Sequence, residues 1–208
     1  MKKAILGVLF LFLIGTMAAV PAFAGTLYTN GPANDNFEAW SISGYAVSDS
    51  FTISTTSTVT GATFDAWLYP GDTLSSVGWS IGTSPFGGTS ATVITTGVFD
   101  FTNGSGYDVY TESITIPSLV LANGTYWFSL QNAIGPNGDG AFWDINNGPS
   151  VAWESLYGNV NGKLELGSNS ETFQIMGNTT VTPEPGSFLL LGTGLATLAG
   201  LIRSKIQA

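Results

Sequence analysis

The chain has 208 residues, with 14 acidic against 5 basic side chains, a formal charge of −9, and neither cysteine nor histidine. Lacking both residue types, it has no disulfide, thiol nucleophile, imidazole base, or thiolate or imidazole metal site. Its negative surface repels phosphate backbones, so nucleic acid is not an expected partner.

At the start, Lys2 and Lys3 precede an apolar stretch from Ala4 to Ile14, and Ala22-Phe23-Ala24 offers an A-x-A cleavage site. This pattern predicts a secretory signal peptide over residues 1–24, with Ala22 and Ala24 marking the cut. Residues 25–180 then form one domain, large enough to bury a core of its own. Between Asp35 and Glu171 that domain carries thirteen acids and a single basic residue, Lys163. Its polarity otherwise comes from Ser, Thr, Asn and Gly. With apolar residues at 44% of the chain, disorder is not expected.

The periodicity is that of strands throughout. Val47, Phe51 and Ile53 alternate with small polar residues in AVSDSFTIS. In TVTGATFDAWLY, Ala62, Phe64, Ala66 and Leu68 share one face, and Thr63, Asp65, Trp67 and Tyr69 the other. Val77, Trp79 and Ile81 repeat the pattern. Residues 91–101 form a β-branched run in which Gly97 suggests a bulge or bend. Tyr107 to Ile116 is a further strand, stopped by Pro117. Asn123-Gly124 marks a turn, after which Tyr126, Phe128 and Leu130 point inward. Gly140 to Ile145, Ser150 to Tyr157 and Thr172 to Met176 complete eight to ten strands. The expected fold is all-β, an antiparallel sandwich of jelly-roll type, with an immunoglobulin-like Greek key as the alternative.

The densest polar and aromatic cluster is NGDGAFWDINNGPSVAWESLY, residues 137–157. Asp139, Trp143, Asp144, Asn146, Trp153 and Tyr157 are its candidate ligand-binding residues. Aromatic faces and side-chain amides together suit a pyranose ring, while Asp139 and Asp144 are candidate oxygen ligands for calcium, without EF-hand spacing. The competing reading is that the tryptophans are core and the Asn, Asp and Gly residues belong to turns. A second patch, Asn34-Asp35-Asn36 with Glu38 and Trp40, is either a calcium cap or a solvated lead-in to the first strand. Asp65, Trp67 and Tyr69 present an acidic, aromatic face if their sheet is half wet; Trp67 is core if it is covered. No catalytic residue is assigned. Thirteen acids always offer some pair, serine hydrolysis lacks its histidine, and no phosphate loop is present. The sequons at Asn103, Asn123 and Asn178 carry no weight.

The tail, residues 181–208, has three parts: Pro183-Glu184-Pro185, an uncharged run from Ser187 to Ile202, and the cations Arg203 and Lys205. As a helix the run spans roughly 24 Å, short of the ~30 Å hydrocarbon core but able to insert if the bilayer thins. The two cations favour leaving that end in the cytoplasm. This arrangement resembles the PEP-CTERM sorting signal of Gram-negative bacteria, over about a ninth of the chain. The resemblance implies an exosortase-type processing enzyme as partner and a transmembrane helix as intermediate. It also implies export from the inner membrane to the cell surface or an exopolysaccharide matrix. The sequence thus predicts an exported, non-catalytic β-sandwich, exopolysaccharide-associated or adhesive. The alternatives are a structural surface protein without a specific ligand, or a polysaccharide-acting enzyme using paired carboxylates.

Overall fold

The computed structural model describes residues 25–34, 38–156, 159–165, 170–179, 191–195, 198–199 and 202–203, with the backbone alone for 156 and 159–165. Residues up to Asn178 form one compact unit and Thr179–Ala208 a second.

The first unit is an all-β, antiparallel sandwich. Its eight-stranded sheet, sheet I, is built around β4 (Ser57–Leu68). One edge of β4 pairs along its length with β8 (Asp108–Leu121), which is flanked by β7 (Thr96–Thr102). The other edge is shared by β14 (Phe173–Thr179), near Thr58, and β10 (Phe142–Asn146), at Trp67. Outside β14 lies β1 (Gly25–Thr29); β2 (Ala39–Ser41) and β13 (Ser170–Glu171) pair with β10. Sheet II has six strands. In spatial order they are β12 (Asn159–Glu165), β11 (Ala152–Leu156), β3 (Ala46–Ile53), β9 (Gly124–Ile134), β5 (Ser76–Gly82) and β6 (Thr89–Ile94).

Two long antiparallel pairs tie the sheets together. In sheet II, β3 pairs with β9 from Ala46–Gln131 to Ile53–Gly124, and in sheet I β4 pairs with β8. Each chain therefore changes sheet between its two strands, at 54–56 and at 122–123. Asn123 Nδ2 donates to the Ser54 carbonyl at 2.5 Å, joining the two crossings. The Asn123-Gly124 turn is present, but it joins opposite sheets and does not close a hairpin.

Period-two alternation explains what fills the space between the sheets. Val47, Phe51 and Ile53 from β3, Ala62, Phe64, Ala66 and Leu68 from β4, and Phe128 and Leu130 from β9 share one buried cluster. Trp143 is fully buried in it. Its ring centroid lies 5.6 Å from Phe128, 5.9 Å from Phe173 and 6.2 Å from Phe64, all edge-on, and its Nε1–H donates to the Thr172 carbonyl at 2.7 Å.

Two strand boundaries differ from expectation. The run at 91–101 divides at Thr95, not at Gly97, because the chain passes there from the edge of sheet II to the edge of sheet I. Thr95 is buried, and its hydroxyl donates to the Leu74 carbonyl at 2.8 Å. Gly97 serves close approach: a Cβ there would run into the Glu112 carboxyl. Pro117 does not stop its strand. Val59 faces Leu119 and Gly61 faces Thr115, so two extra β8 residues bulge around the proline, where its missing N–H is not needed.

In the second unit, residues 191–195, 198–199 and 202–203 are helical. Among the described residues no helix is long and apolar enough to cross a membrane. The signal peptide with Ala22 and Ala24, the motif Pro183-Glu184-Pro185, and Lys205 lie outside the described residues.

Trp143→Ala removes the ring that contacts both sheets and should cost about 3–5 kcal/mol in denaturant unfolding. An effect under 1 kcal/mol contradicts this packing.

Candidate functional site

The alternation of β10 separates the residues that the sequence places side by side. Trp143 and Ile145 face the core. Phe142 lies in register with Trp67, on the face of sheet I turned away from sheet II. Asp144 reaches the same face and accepts a 2.5 Å hydrogen bond from Trp67 Nε1–H. Trp67 is buried at 4% exposure, yet it lies outside the inter-sheet core. Its burial comes from what packs over it.

That covering layer forms a groove of about 480 Å³, lined by Glu38, Ala39, Trp40, Trp67, Ser105, Tyr107 and Phe142. Tyr107 is its centre, with ring centroids 5.1 Å from Tyr69, 5.7 Å from Phe142 and 5.8 Å from Trp67. The hydrogen bond with Tyr69, followed by burial, raises the Tyr107 pKa, so its hydroxyl stays protonated at neutral pH. The loop before Tyr107 is shaped by Asn103, whose buried Oδ1 accepts from the backbone N–H of Ser105 and of Tyr107, both at 3.0 Å. On the far wall, Trp40 packs against the core and also borders the groove. The outcome is an aromatic trough with hydroxyls at one side and a carboxyl, Glu38, at its rim. Such a lining can stack on the C–H face of a sugar and hydrogen-bond its hydroxyls.

Among the described residues, those expected to bind a ligand are not gathered on one surface. Asp139 is exposed on the turn after β9, Trp143 has no face open to solvent, and Asp144 is committed to Trp67. Asn146 is buried, donating from Nδ2 to the Asn30 carbonyl at 2.7 Å. Trp153 is half-buried in β11, and Tyr157 lies outside the described residues. Asp139 and Asp144, the two candidate calcium ligands, thus stand in different settings, one exposed and one fully buried. Of the early patch, Glu38 and Trp40 line the groove, while Asp35 and Asn36 lie outside the described residues. Tyr107, Ser105 and Phe142 were missed as site residues. The signal available for them was the turn chemistry of Asn103-Gly104-Ser105-Gly106, which the sequon reading set aside.

Buried carboxyls form the second feature. Burial raises the pKa of Asp49, Asp65, Glu112, Glu154 and Glu171. For Glu171 the charges of Asp49, Asp144 and Glu154 add to it. Glu112 sits on the inward face of β8 opposite Phe64 and is pushed up to about 7, against a partial lowering by the Thr95 hydrogen bond. Among the described residues, no three acidic side chains form a ready-made metal cage.

No protein-family model matches the chain, and no curated protein shows significant sequence similarity to it.

The Glu112 shift sets the sign of a pH dependence. With a folded pKa of about 7 against 4.5 unfolded, the native state holds the extra proton in that window, so stability falls as pH rises through it. Allowing for partial hydration, Glu112 should account for a loss of about 2 kcal/mol between pH 4.5 and pH 8. The other raised acids act in the same direction, so denaturant unfolding of Glu112→Gln beside the parent isolates its share. Equal pH slopes for the two contradict the assignment.

Proposed function

We propose that this chain is an exported, non-catalytic β-sandwich that holds a neutral polysaccharide in its aromatic groove at the cell surface or in the extracellular matrix. The groove carries the proposal: Trp40, Trp67, Tyr107 and Phe142 border one trough, with Ser105 and Glu38 as polar neighbours. Aromatic platforms of this kind favour apolar sugar faces, and the single basic residue of the domain, Lys163, leaves little to attract a polyanion. The ribbon that winds from sheet to sheet supports a jelly-roll-like topology, in which one sheet face is free for a ligand.

The addressing half of the proposal rests on the two ends. Lys2-Lys3 with Ala22-Phe23-Ala24 supports a signal peptide, and Pro183-Glu184-Pro185 with Arg203 and Lys205 supports a PEP-CTERM route and an exosortase-type partner. Exposed Leu191, Leu195 and Leu198, at helical spacing, suit contact with lipid before processing.

Affinity electrophoresis in gels containing neutral polysaccharide tests the groove. The parent should be retarded, and Tyr107→Ala should weaken binding about tenfold while circular dichroism stays unchanged. Retardation that survives in Tyr107→Ala and Phe142→Ala excludes the groove. Release of reducing ends during incubation would replace the binding reading with the enzymatic one.

A further inference from the structure

The edges of the two sheets are unequally guarded. In sheet I, β1 has five residues and its pairing slips between Thr26 and Tyr28. At the other side, β7 slips between Phe99 and Phe101 and carries the charge of Asp100. β2 and β13 have only three and two residues. In sheet II, β12 carries Lys163 and Glu165 and pairs irregularly with β11. Short length, bulges and charges are the usual means by which an edge strand is kept from pairing with another chain. β6, at the opposite edge of sheet II, has none of the three. Its six residues, Thr89-Ser90-Ala91-Thr92-Val93-Ile94, include no charge and no proline, and they pair with β5 without a slip from Ile81–Thr89 to Ser76–Ile94.

This edge is open to solvent. Five of its six residues are exposed, Ile94 at 82%, and Val93 is half-buried where it packs against the core. Ser90, Thr92 and Ile94 therefore face outward. The flank behind them is uncharged as well. No Asp, Glu, Lys or Arg lies between Asp72 and Asp100, the span that holds β5 and β6, and none lies in β9. With 14 acidic against 5 basic side chains in the whole chain, two copies repel each other over most of their surfaces. Along β9, β5 and β6 that repulsion is least.

We propose that β6 is a self-association edge, at which a second copy of this chain adds its own β6 antiparallel and joins the two six-stranded sheets into one. An antiparallel match of like strands is two-fold symmetric, so a single contact satisfies the outward N–H and C=O groups of both. Opposed residues share a face, which places the axis at Ala91 or Thr92. Among the described residues every other sheet edge is bulged, charged or short, so β6 finds its match only in another β6. Assembly then closes at the dimer and does not grow into a fibre. A strand of six residues spans only roughly 20 Å, so the contact is weak in dilute solution and gains from the crowding of copies on one surface.

The test exploits the absence of cysteine: Thr92→Cys gives the full-length chain a single thiol for a nitroxide spin label. In detergent, labels on β6 should broaden each other's spectra, and the broadening should vanish when labelled chain is mixed into an excess of unlabelled parent. A label at Thr52→Cys, exposed on β3 and separated from β6 by β9 and β5, should stay sharp, which separates edge pairing from crowding within a micelle. Combined with the Thr92 label, Ser90→Lys should remove the broadening while circular dichroism stays unchanged, and Val98→Lys on β7 should retain it. High salt should not weaken it, because no ion pair is involved. If Ser90→Lys alters the circular dichroism, Ile94→Lys reads the same edge. A sharp spectrum at Thr92, equal broadening at Thr52, or broadening that survives lysine on β6 or disappears in high salt overturns the proposal.

Discussion

The architecture depends on one constraint: β10 is a strand, and successive side chains of a strand point to opposite faces. Five residues, Phe142 to Asn146, thereby serve two purposes. Trp143 and Ile145 enter the space between the sheets, where Trp143 meets Phe64, Phe128 and Phe173. Phe142 and Asp144 emerge on the opposite face, where one joins the aromatic trough and the other fixes the Trp67 indole. The hydrogen bond from Trp67 to Asp144 joins β4 to β10 and satisfies an indole N–H that would otherwise be buried at a cost. The floor of the groove is thereby tied to the same strand whose Trp143 fills the core beneath it.

A cysteine-free domain of this size must be held by packing, and its core does that with aromatic rings in tilted and edge-on contact. Against that stands an uncommon number of buried acids. Asp49, Asp144 and Glu171 are each fully buried, and the domain has a single lysine and no arginine. Protons and neutral hydrogen-bond donors relieve such crowding, and the two act on different residues. Glu112, isolated beside Phe64, suits a proton. Asp49 instead accepts from the Glu171 backbone N–H, the Ser170 hydroxyl and the Asn30 amide.

The strands were largely legible because one face of each is buried: Val47, Phe51, Ile53, Phe64, Trp79, Phe128 and Leu130 all lie where alternation puts them. Boundaries were less so. Pro117 lies in a bulge that only its pairing with β4 reveals, and Thr95 marks a sheet change that no local composition signals. The groove was legible in fragments. Glu38 with Trp40, and Trp67 with Tyr69, each stood out, but strand order alone brings them together across β10 and adds Tyr107. The described residues of the 137–157 cluster are spread over several settings for the opposite reason, since neighbours in sequence alternate across a sheet. The acid cluster was not visible at all, because Asn30, Asp49, Ser150 and Glu171 meet through pairings between distant strands.

The most direct measurement is the set of six tryptophan indole N–H resonances in a ¹⁵N-labelled sample during titration with a neutral oligosaccharide. The Trp40 and Trp67 signals should move together and saturate, while those of Trp79 and Trp143, buried between the sheets, stay in place. Movement of Trp143 or Trp153 with Trp40 and Trp67 unmoved would contradict the division of labour across β10 and with it the groove as the ligand surface.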